Sequence, residues 1–167
     1  MDDDVAWLST EQQGSWRAYL LGVARLNDAL GRQLERDAGL SLSEYEMLVR
    51  LSEAPERTLR MSDLAVSLKH SRSRLTHTVG RLESQGLVER HGCDDDRRGV
   101  NCVMTDAGFA LLERSAPGHV RAVREHLVDR LTDDELRALG QAMAKVAPDP
   151  APVHARTPDP ALDPMPA

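Results

Sequence analysis

The sequence predicts a mainly α-helical fold carrying one small β-hairpin, and three observations carry that expectation. Apolar residues recur at helical spacing along most of the chain. Three stretches, Ser9-Thr-Glu-Gln12, Ser43-Glu-Tyr-Glu46 and Thr132-Asp-Asp-Glu135, have the reciprocal capping pattern of a helix N-terminus. One region departs from helical period. Residues 87–91 and 100–104 are rich in Val, Leu and Cys, and the loop that joins them, 92–99, is bracketed by glycines.

A length of 167 residues fits one domain. The apolar fraction of 41% supplies a core, and 3% aromatics makes that core aliphatic. Residues 1–8 read as a loose acidic N-terminus in which Trp7 and Leu8 are placed to dock on a neighbour. From Ser9 a long helix carries Trp16, Tyr19, Leu20, Val23, Leu26, Leu30 and Leu34 on one stripe until Gly39 ends it. That stripe suits burial against a second subunit and equally a core helix within a monomer. A second helix is expected to be capped by Ser43, with Leu42 and Met47 as its hydrophobic staple, and to stop near Pro55. Residues 58–60 read as a short third strand beside the hairpin. Beyond the hairpin Thr105 caps a helix carrying Phe109, Leu112, Val120, Val123, Leu127 and Leu131, with a kink or break expected at Pro117. A last helix runs from Thr132 through Leu139, Met143 and Val146. Residues 147–167 hold seven prolines and read as a disordered tail.

Between the second helix and the hairpin lie two more helices, at 62–68 and 71–86, separated by a polar turn at Lys69 and His70. In the second of them Leu75, Val79 and Leu82 recur at i, i+4, i+7 and face the core. Ser73, His77, Gly80 and Arg81 then fall on the far side, with Arg72, Arg74 and Thr76 on the flanks and no acid before Glu83. Such a surface suits the DNA major groove, and equally a surface helix with solvated charges. An arginine fork matches guanine N7 and O6, and Ser, Thr and His add shorter contacts. The preceding helix would brace it, as in a helix-turn-helix, and the N–H groups near the Ser71 cap would meet a phosphate. At the hairpin tip Arg97 and Arg98 have the chemistry to enter an adjacent narrow minor groove. The aspartates beside them, Asp94 to Asp96, would be repelled by phosphate; one that holds an arginine extended by a bidentate pair would serve instead.

With the helix-turn-helix in place, three further motifs carry a resemblance: Gly86-Leu-Val-Glu-Arg90, Asp96-Arg97-Arg98-Gly99 and Met104-Thr105-Asp106-Ala107-Gly108. Together they resemble the multiple-antibiotic-resistance regulator (MarR) family, bacterial homodimeric winged-helix transcription factors. The resemblance spans about residues 9–146 and is most specific in the wing, whose family motif is Asp-x-Arg-Gly, a few strand residues, then usually Leu-Thr. Asp96 and Arg98 match it, and Met104 stands where Leu is common.

The resemblance implies a winged helix-turn-helix at about 42–105 with a helical dimerisation region at about 9–38 and 105–146. It implies a homodimer whose two reading helices lie one DNA turn apart, roughly 34 Å, on a pseudo-palindromic operator. Arg98 becomes the minor-groove residue. Lys69, Arg72 and Arg81 become phosphate contacts that set register, and Ser73, Arg74 and His77 become base contacts. Ser71, Thr76, Asp96 and Arg97 complete the DNA-binding set. A ligand-responsive repressor is the expected mode. Its small phenolic or anionic effector would sit between the dimer helices and the winged helix, where Trp16, Tyr19, Arg50 and Arg60 are candidates to line the cleft, Trp16 and Tyr19 reading also as core or interface residues.

Charge agrees with that division of labour. The net charge is −6, yet residues 57–98 hold nine Lys and Arg against six Asp and Glu, a net of +3, leaving −9 elsewhere. No stretch approaches the length of a membrane span, and the Met-Asp-Asp-Asp start is the opposite of a basic signal peptide, so a soluble cytoplasmic protein with no membrane partner is expected. Cys93 and Cys102 are expected to be reduced bystanders. A thiol-responsive reading stays open at Cys93, which has Arg90, His91, Arg97 and Arg98 nearby in sequence and Asp94 to Asp96 opposing them. A metal-responsive reading would draw on His119 and His126, or on His70, His77 and His91. No run has metal-ligand spacing, so solvated histidines, no metal and no cofactor are expected. A protein-binding winged helix is the remaining alternative, opposed by the arginine-rich exposed face. No phosphate-binding glycine loop, nucleophile elbow or zinc hydrolase motif is present, so no catalytic residue is assigned and an enzyme is not expected.

Overall fold

The structure is a computed structural model and describes residues 5–93 and 96–147; the side chains of residues 93 and 96–98 lie outside the described set. Its elements are α1 (Thr10–Ala38), α2 (Leu42–Ser52), β1 (Thr58–Arg60), α3 (Met61–Ser67), α4 (Arg72–Ser84), β2 (Val88–Cys93), β3 (Asp96–Met104), α5 (Asp106–His126) and α6 (Asp133–Val146). Single 3-10 turns stand at Pro55–Arg57 and Val128–Arg130. The fold is the mainly α winged helix-turn-helix that the sequence predicts, with a small antiparallel sheet.

Helix ends follow local chemistry. Ser9 Oγ accepts the Gln12 N–H while the Gln12 side chain accepts the Ser9 N–H at 2.8 Å, and Gly39 closes α1 at φ 66°. The cap of α2 is not the one expected. Ser41, not Ser43, is the N-cap, and its partner is Glu44 rather than Glu46. Two overlapping Ser-x-x-Glu patterns compete here. The register that wins places Leu40 and Tyr45 at the staple positions, and both are buried. Thr132 and Glu135 form the third box, at the start of α6.

The core lies under α3, α4 and the sheet. Leu34 from α1, Leu48 and Leu51 from α2, Leu64 from α3, Val79 and Leu82 from α4, and Val88 and Cys102 from the sheet are fully buried together. The sheet order is β1-β3-β2, both pairings antiparallel, with Leu59 opposite Cys102 and Arg90 opposite Cys102 from the other side. The strands of the hairpin are longer than expected. Pairing continues to Cys93 with Asp96, with an irregularity between Gly92 and Cys93, so strand pairing takes in residues expected in the loop.

Pro117 neither breaks nor ends α5, which runs unbroken through it. Proline removes one helical N–H. Here Pro117 and Glu113 both stand on the exposed side of the helix. The helix stops earlier than its apolar pattern, at His126, so Leu127 and Leu131 belong to the 3-10 connection.

The long α1 stripe divides in two. Leu30 and Leu34 enter the core, whereas every residue from Val5 to Arg25 is exposed. Trp16 is 52% exposed and Leu20 46%. The tail beyond residue 147 and the first four residues lie outside the described set.

Candidate nucleic-acid interface

The reading motif begins with a helix too short to stand alone. Seven-residue α3 is held by buried Leu64 and by the bonds at its end. His70 N–H reaches Ala65 O at 3.0 Å and Lys69 N–H reaches Val66 O at 3.1 Å, the paired bonds of a Schellman turn. That turn demands a left-handed residue, and Lys69 supplies it at φ 51°. The same motif closes α4, where Gly86 takes φ 69° and Leu87 N–H bonds Leu82 O at 3.0 Å.

Ser71 caps α4 by accepting the Arg74 N–H at 3.3 Å. Leu75, Thr78, Val79 and Leu82 face inward. Lys69, Ser71, Arg72, Ser73, Arg74, Thr76, His77 and Arg81 are all exposed, so the structure gathers these eight candidate residues on one solvent face. Their donors are not equally available. Thr76 Oγ donates to Arg72 O at 2.9 Å, which leaves it an acceptor toward any ligand. Arg74 Nη2 donates to Ser43 Oγ at 2.9 Å. Arg81 Nε lies 2.9 Å from Glu44 Oε1. No partner within the described residues is recorded for the side chains of Arg72, Ser73 and His77.

The wing is tied to α4 by Arg90 and Glu83, and hydrogen bonds from Arg90 hold the Glu83 carboxyl below its ordinary range. Asp96, Arg97 and Arg98 belong to the backbone of β3, and their side chains lie outside the described set, as does that of Cys93. Cys102 is buried in the sheet, and burial pushes its thiol up to about 11.

Among the described residues, Arg50 and Arg60 line separate cavities. Arg50 lines a cavity of about 580 Å³ with Leu30, Tyr45, Lys69 and His119. Arg60 lines a different one of about 1000 Å³, between α3, α4 and the wing. Trp16 and Tyr19 stack on each other, ring centres 5.9 Å apart, on the exposed half of α1. Two histidines also depart from the solvated picture. His119 packs on the Tyr45 ring at 4.4 Å, and burial lowers its pKa. His70 is half-buried with an unpartnered Nδ1, its pKa lowered by burial and then by Arg74. Among the described residues no group of three His, Cys, Asp or Glu is placed to hold a metal, and no helix is long and apolar enough to cross a membrane.

Sequence reasoning missed Ser43, Glu44, Glu83 and Arg90 as parts of this surface. Glu83 and Arg90 carried a faint signal, opposite charges at the end of the reading helix and the start of the wing. Glu44 carried none, because its partner is distant in sequence.

Comparison with known proteins places the geometry. The MarR family model matches residues 38–99. The chain is 47% identical to Sco3205, a MarR family transcriptional regulator from Streptomyces coelicolor solved in complex with DNA, with a TM-score of 0.84 over 87% of this chain and 91% of that one. AbsC, a MarR family transcriptional regulator from the same organism, is 38% identical, with a TM-score of 0.81 over 86% of this chain and 97% of that one. The HTH-type transcriptional regulator PecS of Dickeya dadantii is 35% identical over 60% of this chain, and the match spans 62% of its own length. Shared sequence over nearly the whole of two solved relatives, together with the turn and wing described above, shows that the chain belongs to the MarR family of transcriptional regulators.

Proposed function

We propose that this regulator binds double-stranded DNA sequence-specifically, as a homodimer on a pseudo-palindromic operator, and works as a ligand-responsive repressor. The observation that carries this reading is the exposed face of α4, where Arg72, Ser73 and His77 have no side-chain partner among the described residues and stand beside Lys69 and the Ser71 cap. The DNA complex of its relative Sco3205 supports it. Ser73, Arg74 and His77 read bases, Lys69, Arg72 and Arg81 hold phosphates, and Arg98 enters the minor groove with Asp96 and Arg97 beside it. Residues 9–146 act as one domain in the cytoplasm, 42–105 for reading and the flanking helices for pairing.

The exposed stripe on α1 supports the dimer. Trp16, Tyr19, Leu20 and Val23 form an apolar surface that a second copy of the chain would bury. Introducing Leu20→Glu with Val23→Glu is expected to give a monomer by light scattering; a retained dimer would move the interface elsewhere. The cavity beside Arg50 supports a small aromatic anion as effector. Tyr45 and Leu30 offer apolar wall, and Arg50 and Lys69 offer positive charge beside the carboxylates of Glu46, which also lines the cavity, and Glu53, 3.6 Å from Arg50.

The decisive experiment is an anisotropy titration on the duplex upstream of the protein's own gene, with a random duplex, a salt series and Arg98→Ala. Tight binding that weakens steeply with salt is expected for the wild type, through counterion release, and weaker binding for Arg98→Ala. Arg74→Ala is expected to lose about 1–3 kcal/mol of discrimination if its contact is bidentate. A folded dimer that binds no duplex at low salt would overturn the reading.

A further inference from the structure

We propose that Glu44 is a positioning residue for DNA binding. Its buried carboxylate holds Arg81 by the Nε edge, so that the terminal guanidinium edge is presented to a phosphate. This inference rests on the DNA-binding reading above.

The argument starts from the three capping boxes. Each uses its third helical residue to accept the cap N–H, and Gln12 does this in α1 as well as Glu44 does in α2 and Glu135 in α6. A neutral amide therefore suffices for the cap. Glu135 is exposed, but Glu44 is 1% exposed. Burying a carboxylate is costly unless it is paired, so the charge at Glu44 needs a reason other than capping.

The two oxygens divide the work. Oε2 accepts Ser41 N–H at 2.8 Å and Ser41 Oγ–H at 2.7 Å. Beside Oε1 stands Arg81 Nε at 2.9 Å, placed as an ion pair rather than as a well-aligned hydrogen bond. Arg81 is 52% exposed in its side chain, so with Nε against Glu44 about half of that side chain remains open to solvent. Beside Glu44, Ser43 holds Arg74 in a similar way, at 2.9 Å. Arg74 and Arg81 are seven residues apart, two turns along the same flank of α4. The N-terminus of α2 thus carries adjacent holders for two arginines of the reading helix. An arginine fixed before it meets DNA loses less side-chain freedom on binding than a free one.

Removing a negative charge close to DNA would by itself tighten binding. Weaker binding after neutralisation therefore isolates positioning from simple electrostatics. The test uses the full chain as wild type, Glu44→Gln, Arg81→Ala, the double variant and Arg81→Lys. Each is titrated with a random duplex across a salt series and melted thermally.

Glu44→Gln is expected to melt no lower than wild type and to bind about three- to tenfold more weakly, with the salt slope reduced by about one. It is expected to have no further effect in the Arg81→Ala background. Arg81→Lys, which keeps the charge but lacks the Nε edge, is expected to bind as Glu44→Gln does. Wild-type affinity and slope in Glu44→Gln would overturn the proposal, and so would an equal loss with Arg81 already removed. If Glu44→Gln melts early, Arg81→Lys decides: weakened binding sustains the brace and wild-type binding overturns it. A wild type that binds no duplex would overturn the DNA reading itself, an outcome distinct from an intact binder indifferent to Glu44.

Discussion

Glu83, near the end of α4, receives two donors from the single guanidinium of Arg90 in β2. Arg90 Nε lies 3.1 Å from one carboxylate oxygen and 3.3 Å from the other, and Nη2 donates to the same carboxylate. The base of the wing is thereby fastened to the reading helix by a fork rather than by a point charge. The side-chain hydrogen bond from Arg90 lowers the Glu83 pKa. A carboxyl whose pKa is lower folded than unfolded stabilises the fold fully above its unfolded pKa, and loses that contribution as pH falls through the folded one. Glu83→Gln is therefore expected to lower the melting temperature slightly at neutral pH. Its deficit against wild type should close as the buffer is taken below the ordinary carboxylate range. A deficit constant with pH would mean that the pair contributes nothing through its charge.

Gly108 opens α5 against the wing. A Cβ built there would stand 2.2 Å from Leu87 O and 2.9 Å from Met104 Cγ. The first obstacle is backbone and cannot swing aside. Gly108→Ala is expected to destabilise by about 1–3 kcal/mol or more, read as a lower urea midpoint at unchanged slope. An unchanged midpoint would show that α5 can step back from the sheet.

Lys69 keeps a left-handed backbone that costs a side-chain-bearing residue of order 1 kcal/mol. Lys69→Gly is expected to raise stability by less than that, because glycine also gives the unfolded chain more freedom. DNA affinity should fall in the same variant. Stabilisation together with weaker binding would identify Lys69 as a residue kept for its charge at the expense of its backbone. A lower melting temperature would refute the strain argument.

Cys102 should be chemically silent. Burial raises its pKa to about 11, so at neutral pH almost none of it is the nucleophilic thiolate. In a Cys93→Ser background a thiol reagent is expected to label the protein only as fast as the sheet opens, and faster in urea. Rapid labelling without denaturant would mean that the sheet breathes.

Elements with a local cause were legible in the sequence. The α1 and α6 caps, the left-handed turn at Gly86, the inward face of Leu75, Val79 and Leu82, and the third strand beside the hairpin all follow from spacings of a few residues. The α2 cap was ambiguous because Ser41 and Ser43 both carry a Glu at the right distance, and only the burial of Leu40 with Tyr45 chooses between them. The break considered at Pro117 does not occur; a proline removes one helical hydrogen bond, and whether the helix survives that depends on the turns packed on either side, which is a tertiary fact. Within the site, exposed residues of α4 were legible from helical phase. The holders Ser43 and Glu44 were not, since they reach Arg74 and Arg81 across 31 and 37 positions of sequence. The four expected effector residues were chosen by chemistry alone, without phase or distance to bring them together.

The junction between α4, the wing and α5 has a mechanical meaning. Thr105 N–H bonds Leu87 O at 3.1 Å, Thr105 Oγ donates to Gly86 O at 2.8 Å, and Gly108 leaves no room between α5 and the Leu87 carbonyl. The end of the reading helix and the start of α5 therefore share a welded joint. The 21 residues of α5 make a rod of about 30 Å. With a rigid joint, a tilt of about 10° at the far end of that rod sweeps the reading helix through roughly 5 Å, comparable to one turn of α-helix. The joint turns α5 into a lever, and small changes in how its far end is seated become changes in reach at the end that carries the arginines.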